Sequence, residues 1–144
     1  MTYFTIGKNN IKYLGDNFKD WFEGMDDKPV KKKLYSMVLD KPMNDEEIKK
    51  EYNPSEVSLG EVAEYIKNKT EGWYVFYAKD KDGIVRAVRA CWDADCGGWT
   101  VGASSVEAPR GWCDGDQFLS RDPFKSLDTW KLCKSCAENI KKHL

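Results

Sequence analysis

Several absences narrow what this 144-residue chain can be. It has one histidine, His143, next to the last residue. A serine–histidine or cysteine–histidine catalytic pair has almost no material to form from, because such pairs need both groups held in hydrogen-bonding reach. No G-x-x-x-x-G-K-[ST] or G-x-G-x-x-G segment occurs, so the familiar phosphate-cradling loops are missing. No apolar run approaches the roughly 18 residues that a membrane-spanning helix requires. The opening M-T-Y-F-T-I-G-K-N-N lacks the charged-then-apolar pattern of a secretory signal, which sets the expectation of a cytosolic protein. No repeat of 20–50 residues and no low-complexity tract is visible. Arginine is absent from the first 60 residues; all four, Arg86, Arg89, Arg110 and Arg121, come later.

The composition is that of a globular domain, 41 % apolar and 33 % charged, with a net charge of −1. The length favours a single domain, residues 1–144, with room for one core. The near-neutral balance gives no general attraction to nucleic acid, so any such contact needs a local patch.

Periodicity and turn chemistry outline an α+β fold. Ile11, Leu14, Phe18, Trp21, Phe22 and Met25 have helical spacing, and the segment is expected to be a helix broken before Pro29. Lys33 to Asp40 reads as a strand. Asn44 with Glu47, and Ser58 with Glu61, are capping boxes that start helices over Asp45 to Tyr52 and from Ser58 to about Lys69, the second with a Val57–Val62 staple. From Gly72 the residues turn aromatic and β-branched. W-Y-V-F-Y-A, the turn D-K-D-G and I-V-R-A-V-R-A-C-W form a hairpin, W-T-V-G-A-S-S-V a third strand and D-Q-F-L-S a fourth. The expected fold is a small antiparallel meander of three or four strands, packed against N-terminal helices and a C-terminal helix.

Five cysteines without a secretion signal point away from a disulfide framework. Two short-spaced pairs are present: Cys91 and Cys96 in C-W-D-A-D-C-G-G, and Cys133 and Cys136 in L-C-K-S-C-A-E-N-I. Tetrahedral zinc takes about four thiolates at roughly 2.3 Å, and two such pairs supply that set, with Cys113 able to replace one member of the first. The alternative is packing. Leu127, Trp130, Cys133, Ala137 and Ile140 also fit the inner stripe of a longer helix, and free cysteine is a common core residue. A redox C-x-x-C lacks the βαβ setting of that motif. C-x4-C-G-G, two strands and L-C-K-S-C-A-E-N-I together resemble treble-clef zinc fingers across roughly residues 91–144. That resemblance implies a structural zinc held by Cys91, Cys96, Cys133 and Cys136. The knuckle spacing in this chain is four residues where the group has two, and the knuckle proline is absent.

Other residues bear on binding. Trp92, Asp93 and Asp95 lie in W-D-A-D, and Trp112, Asp114 and Asp116 in W-C-D-G-D. Paired carboxylates beside glycine are turn formers first. A Mg²⁺-dependent phosphoryl or nucleotide hydrolase would use the same four acids, Asp93, Asp95, Asp114 and Asp116. The hairpin over residues 73–89 interleaves Trp73, Tyr74, Phe76 and Tyr77 with Lys79, Lys81, Arg86 and Arg89, a set suited to stacking bases and meeting phosphates. Arg86 and Arg89 are three apart and should point to opposite faces of a strand. Loops 92–116, with Trp92, Trp99, Arg110 and Trp112 among the acids, carry the leading expectation: a non-catalytic binding or adaptor surface for a protein or small ligand. The block C-W-D-x-D-x-G-G-W, then P-R-G-W-x-x-G-D-x-F-x-S-R, resembles small uncharacterised proteins of phages and mobile elements over about 30 residues. That resemblance implies an accessory protein that binds a host factor.

Overall fold

The computed structural model describes residues 1–107 and 111–125. In chain order its elements are β1 (Ile11–Leu14), α1 (Asp16–Trp21), β2 (Tyr35–Val38), β3 (Met43–Asn44), α2 (Asp45–Glu51), α3 (Leu59–Ile66), β4 (Trp73–Lys79), β5 (Val85–Asp93), β6 (Gly98–Ser105), β7 (Gly111–Trp112) and β8 (Gln117–Ser120). Six strands form one mixed sheet in the order β1-β6-β5-β4-β8-β2, and β3 and β7 pair separately. The α+β class stands, but the small antiparallel meander does not. β4, β5 and β6 are antiparallel neighbours, while β1 joins β6 and β8 joins β4 in parallel.

The strand at residues 11–14 corrects the helix expected from Ile11 onward. The pairing of β1 with β6 shifts register between Ile11 and Tyr13. A bulge of this kind lets residues three apart face the same side. Ile11 and Leu14 are therefore both buried with two exposed residues between them, which imitates a helical stripe. Only Asp16–Trp21 is helical. Both capping boxes are formed: Asn44 Oδ1 accepts from the Glu47 N–H at 2.8 Å, and Ser58 Oγ accepts from the Glu61 N–H at 3.1 Å. Val57 and Val62 are both buried in one cluster. The third helix ends at Ile66, short of the expected Lys69.

Both faces of the sheet are covered in part. Tyr74, Phe76, Val88, Ala90, Trp99 and Val101 pack with Phe18 and Phe22 near α1 and with Val62 and Ile66 of α3. On the other face Val75, Tyr77, Ala87 and Phe118 meet Met43, Ile48 of α2 and Trp112 of β7. The expected C-terminal helix, with Cys133 and Cys136, lies outside the described residues.

Segment 28–30 approaches α3 closely at Gly60. The Val30 N–H donates to the Gly60 carbonyl at 2.9 Å, and a Cβ on Gly60 would stand 2.3 Å from the Lys28 carbonyl oxygen. Gly60→Ala should therefore destabilise the protein by about 1–3 kcal/mol, as overpacking does, although alanine is about 1 kcal/mol the better helix former. Urea unfolding checks this. An unchanged or raised midpoint would show that segment 28–30 moves aside at little cost.

Candidate functional site

The acid-rich loops are organised as turns. Asp93 Oδ1 accepts from the Asp95 N–H at 2.9 Å, and the Gly97 N–H closes onto the Asp93 carbonyl at 2.8 Å. Gly97 takes φ +67°, where a side chain is disfavoured. In the second loop Asp116 Oδ2 accepts from the Cys113 N–H at 3.0 Å. Asp95 and Asp114 are exposed. Cys91 at the end of β5 lies opposite Trp73 of β4, and Tyr74 lies opposite Gln117 of β8, so both loops sit at one end of the sheet. Among the described residues no three histidine, cysteine or acidic side chains converge on a point a metal could occupy.

The tryptophans proposed for a binding surface divide. Trp99 is 1 % exposed and packs against Tyr74 and Trp92 with ring centroids 6.1 and 5.4 Å away. Trp112 is 4 % exposed, and its Nε1–H donates to Asp45 Oδ1 at 2.6 Å. The Tyr77 hydroxyl donates to the same oxygen at 2.6 Å. Burial first, then the Asp45 charge and hydrogen bond, push the Tyr77 phenol far above its ordinary range, so it stays protonated. Trp99 and Trp112 are thus core residues, and Trp92 is half-buried at the rim. Arg110 lies outside the described residues.

The cysteines divide too. Cys91 is buried, its sulfur 3.2 Å from the Thr100 hydroxyl, whereas Cys96 and Cys113 are exposed. Cys133 and Cys136 lie outside the described residues, so only the first pair of the expected four-thiolate set falls within them.

A cleft of about 1010 Å³ beside α2 has Asp45, Tyr77, Lys49, Lys125 and Arg121 in its wall. Its innermost acid is the one clamped by Tyr77 and Trp112. Arg121 is held by Glu61 through two N–H groups at 3.1 and 2.7 Å. Burial alone would raise the Glu61 pKa, but the bonds from Arg121 and Ser58 and the arginine charge outweigh it and hold the carboxyl low. Asp45 thus ties α2 to β4 and β7, and Glu61 ties α3 to the residue that follows β8.

A different surface stays open. Opposite residues of neighbouring strands point to the same face. Tyr13 of β1, Thr100 of β6, Cys91 of β5 and Trp73 of β4 therefore form one row across four strands. Its ends are aromatic and exposed, Tyr13 at 57 % and Trp73 at 48 %. In the next row stands Arg89, its guanidinium carbon 5.7 Å from the Trp73 ring centroid. Arg86 lies on the opposite face, 3.7 Å over the Trp21 ring, as strand alternation requires. Trp73 and Arg89 stood out in the sequence as part of the hairpin. Tyr13 did not, because its position follows only from the bulged parallel pairing of β1. Comparison of the chain with known protein families, with curated proteins and with solved structures finds no match.

Proposed function

We propose that this chain is a small non-catalytic binding protein, and that its recognition surface is the open row Tyr13, Thr100, Trp73 with Arg89 beside it. The observation that carries the reading is the exposure of Tyr13 and Trp73 at the two ends of one row, with an arginine next to Trp73. Tyrosine, tryptophan and arginine are the residues that dominate binding energy at protein interfaces. In this sheet they stand on paired strands, so little ordering is needed on association. The surface moves from the tryptophans of loops 92–116 to the sheet face beside them, and the exposed acids Asp95 and Asp114 lie on turns at the same end. The partner in this reading is a protein.

Trp73→Ala should remove at least tenfold of the affinity for a captured partner, since buried tryptophan anchors contribute about 2 kcal/mol or more, with little change in melting temperature. Val38→Ala, at an exposed position of 59 % on the far edge strand, should leave both unchanged. Parallel captures with the three proteins read the difference. Equal recovery by wild type and Trp73→Ala would defeat the reading. Single-stranded nucleic acid is the second reading, because Trp73 and Tyr13 offer stacking faces near a guanidinium. It requires oligonucleotide binding that weakens steeply with salt, and no binding at low salt removes it.

A further inference from the structure

Three of the arginines lie among the described residues, and two are paired with a carboxylate. Arg86 Nε donates to Asp80 at 2.8 Å, and Arg121 grips Glu61. Among the described residues Arg89 forms no ion pair, and its Nε–H is shielded from water and meets no acceptor. An incoming acceptor can therefore reach only the terminal nitrogens of this guanidinium, and the Trp73 face offsets the cost of the unmatched Nε–H only in part.

Next to this guanidinium is a recess of about 240 Å³, walled by Gly15, Asn17, Gly102 and Ser104. Gly102 lies directly across the ladder from Arg89. A Cβ there would stand 3.6 Å from a terminal nitrogen of Arg89, so glycine is what leaves that flank of the guanidinium uncovered. Ser104 adds a hydroxyl donor to the wall.

We propose that this recess receives one carboxylate side chain of a protein partner, with Arg89 as its counter-ion and Trp73 packing the apolar residue beside that acid. The inference rests on the binding surface proposed above and names its chemistry. A single planar guanidinium matches a planar carboxylate. Asp16 also lines the recess, and its negative charge would repel a phosphate dianion more than a monoanion.

The test follows the Arg89 Nε–H signal by NMR while adding acetyl-Trp-Glu-amide, acetyl-Trp-Gln-amide or inorganic phosphate. The glutamate dipeptide should shift that signal saturably, at least tenfold more tightly than the glutamine form and more tightly than phosphate. Gly102→Ala, whose methyl meets only ordinary contact, should weaken the glutamate dipeptide severalfold without lowering the melting temperature. An unmoved Arg89 signal, or equal response to the glutamate and glutamine forms, overturns the proposal. Tighter binding of phosphate overturns it in favour of a phosphate-bearing partner. If Arg89 stays unmoved while Trp73→Ala still abolishes capture, the surface stands and the carboxylate falls. If the dipeptide binds while Trp73→Ala changes nothing in capture, the carboxylate site stands and the wider surface falls.

Discussion

Replacing Trp99 with alanine should cost about 3–5 kcal/mol of stability, the range for emptying a large buried aromatic site. The effect should appear as a lower urea midpoint with an unchanged slope. Trp99 does two things at once. Its ring fills the space between Tyr74 and Trp92, where it is 1 % exposed. Its backbone N–H donates to the Asn10 carbonyl at 2.7 Å, which seats the start of β1 on β6. Alanine keeps the second contact and loses the first, so the loss should be one of packing, with β1 still in place. Trp73→Ala is the contrast, since its half-exposed ring should change stability by less than about 1 kcal/mol, as a surface substitution does. A Trp99→Ala protein as stable as wild type but unable to bind would reverse the roles of these two tryptophans.

Asp80→Ala should cost about 3 kcal/mol, the loss expected when one partner of a buried ion pair is removed. Asp80 is 3 % exposed. One of its oxygens accepts from the Asp82 and Ile84 N–H groups at 2.8 and 3.0 Å, and the other from Arg86 Nε at 2.8 Å. The carboxylate therefore builds the β4–β5 turn and holds the guanidinium that stacks on Trp21, joining the hairpin to α1. Burial alone would raise its pKa. The N–H groups of Ile84 and Asp82, with the bonds and charge of Arg86, outweigh burial and lower it. The folded-state pKa thus lies below the unfolded one. The stabilisation is complete above the ordinary aspartate value, about pH 4, and is lost as pH falls through the folded-state value. Asp27 and Glu61 are lowered too and act with the same sign. Wild-type stability should fall steeply under acid, and Asp80→Ala should start lower at neutral pH and fall less. Chemical denaturation at a series of pH values measures both, and parallel curves would show that Asp80 contributes no linkage.

What the sequence made legible was local. Each capping box involves residues three apart, and the β4–β5 hairpin is announced by D-K-D-G between two β-rich runs. Strand alternation alone placed Arg86 and Arg89 on opposite faces. What stayed hidden depends on distant partners. The bulge in β1 gives Ile11 and Leu14 a helical spacing, and only the pairing with Trp99 and Val101 distinguishes the two. Trp99 and Trp112 looked like surface aromatics because they sit among glycines and acids, and nothing nearby in sequence reveals that Tyr74 or Asp45 covers them. The open row containing Tyr13 and Trp73 belongs to four strands at once, so no single stretch of sequence contains it.

The sheet's edges carry a consequence for how the chain is made. β1 and β2, from the first third of the sequence, form the two outer strands, and their partners β6 and β8 come from the last third. During synthesis both must wait for most of the chain to emerge, while the β4–β5–β6 hairpins can close on their own. Such distant pairings are slow because the intervening loop must be ordered first. Until β1 and β2 dock, the free edges of β6 and β8 can pair with another molecule. The two strands made before their partners thus act as the late seals that end this sheet's exposure to self-association.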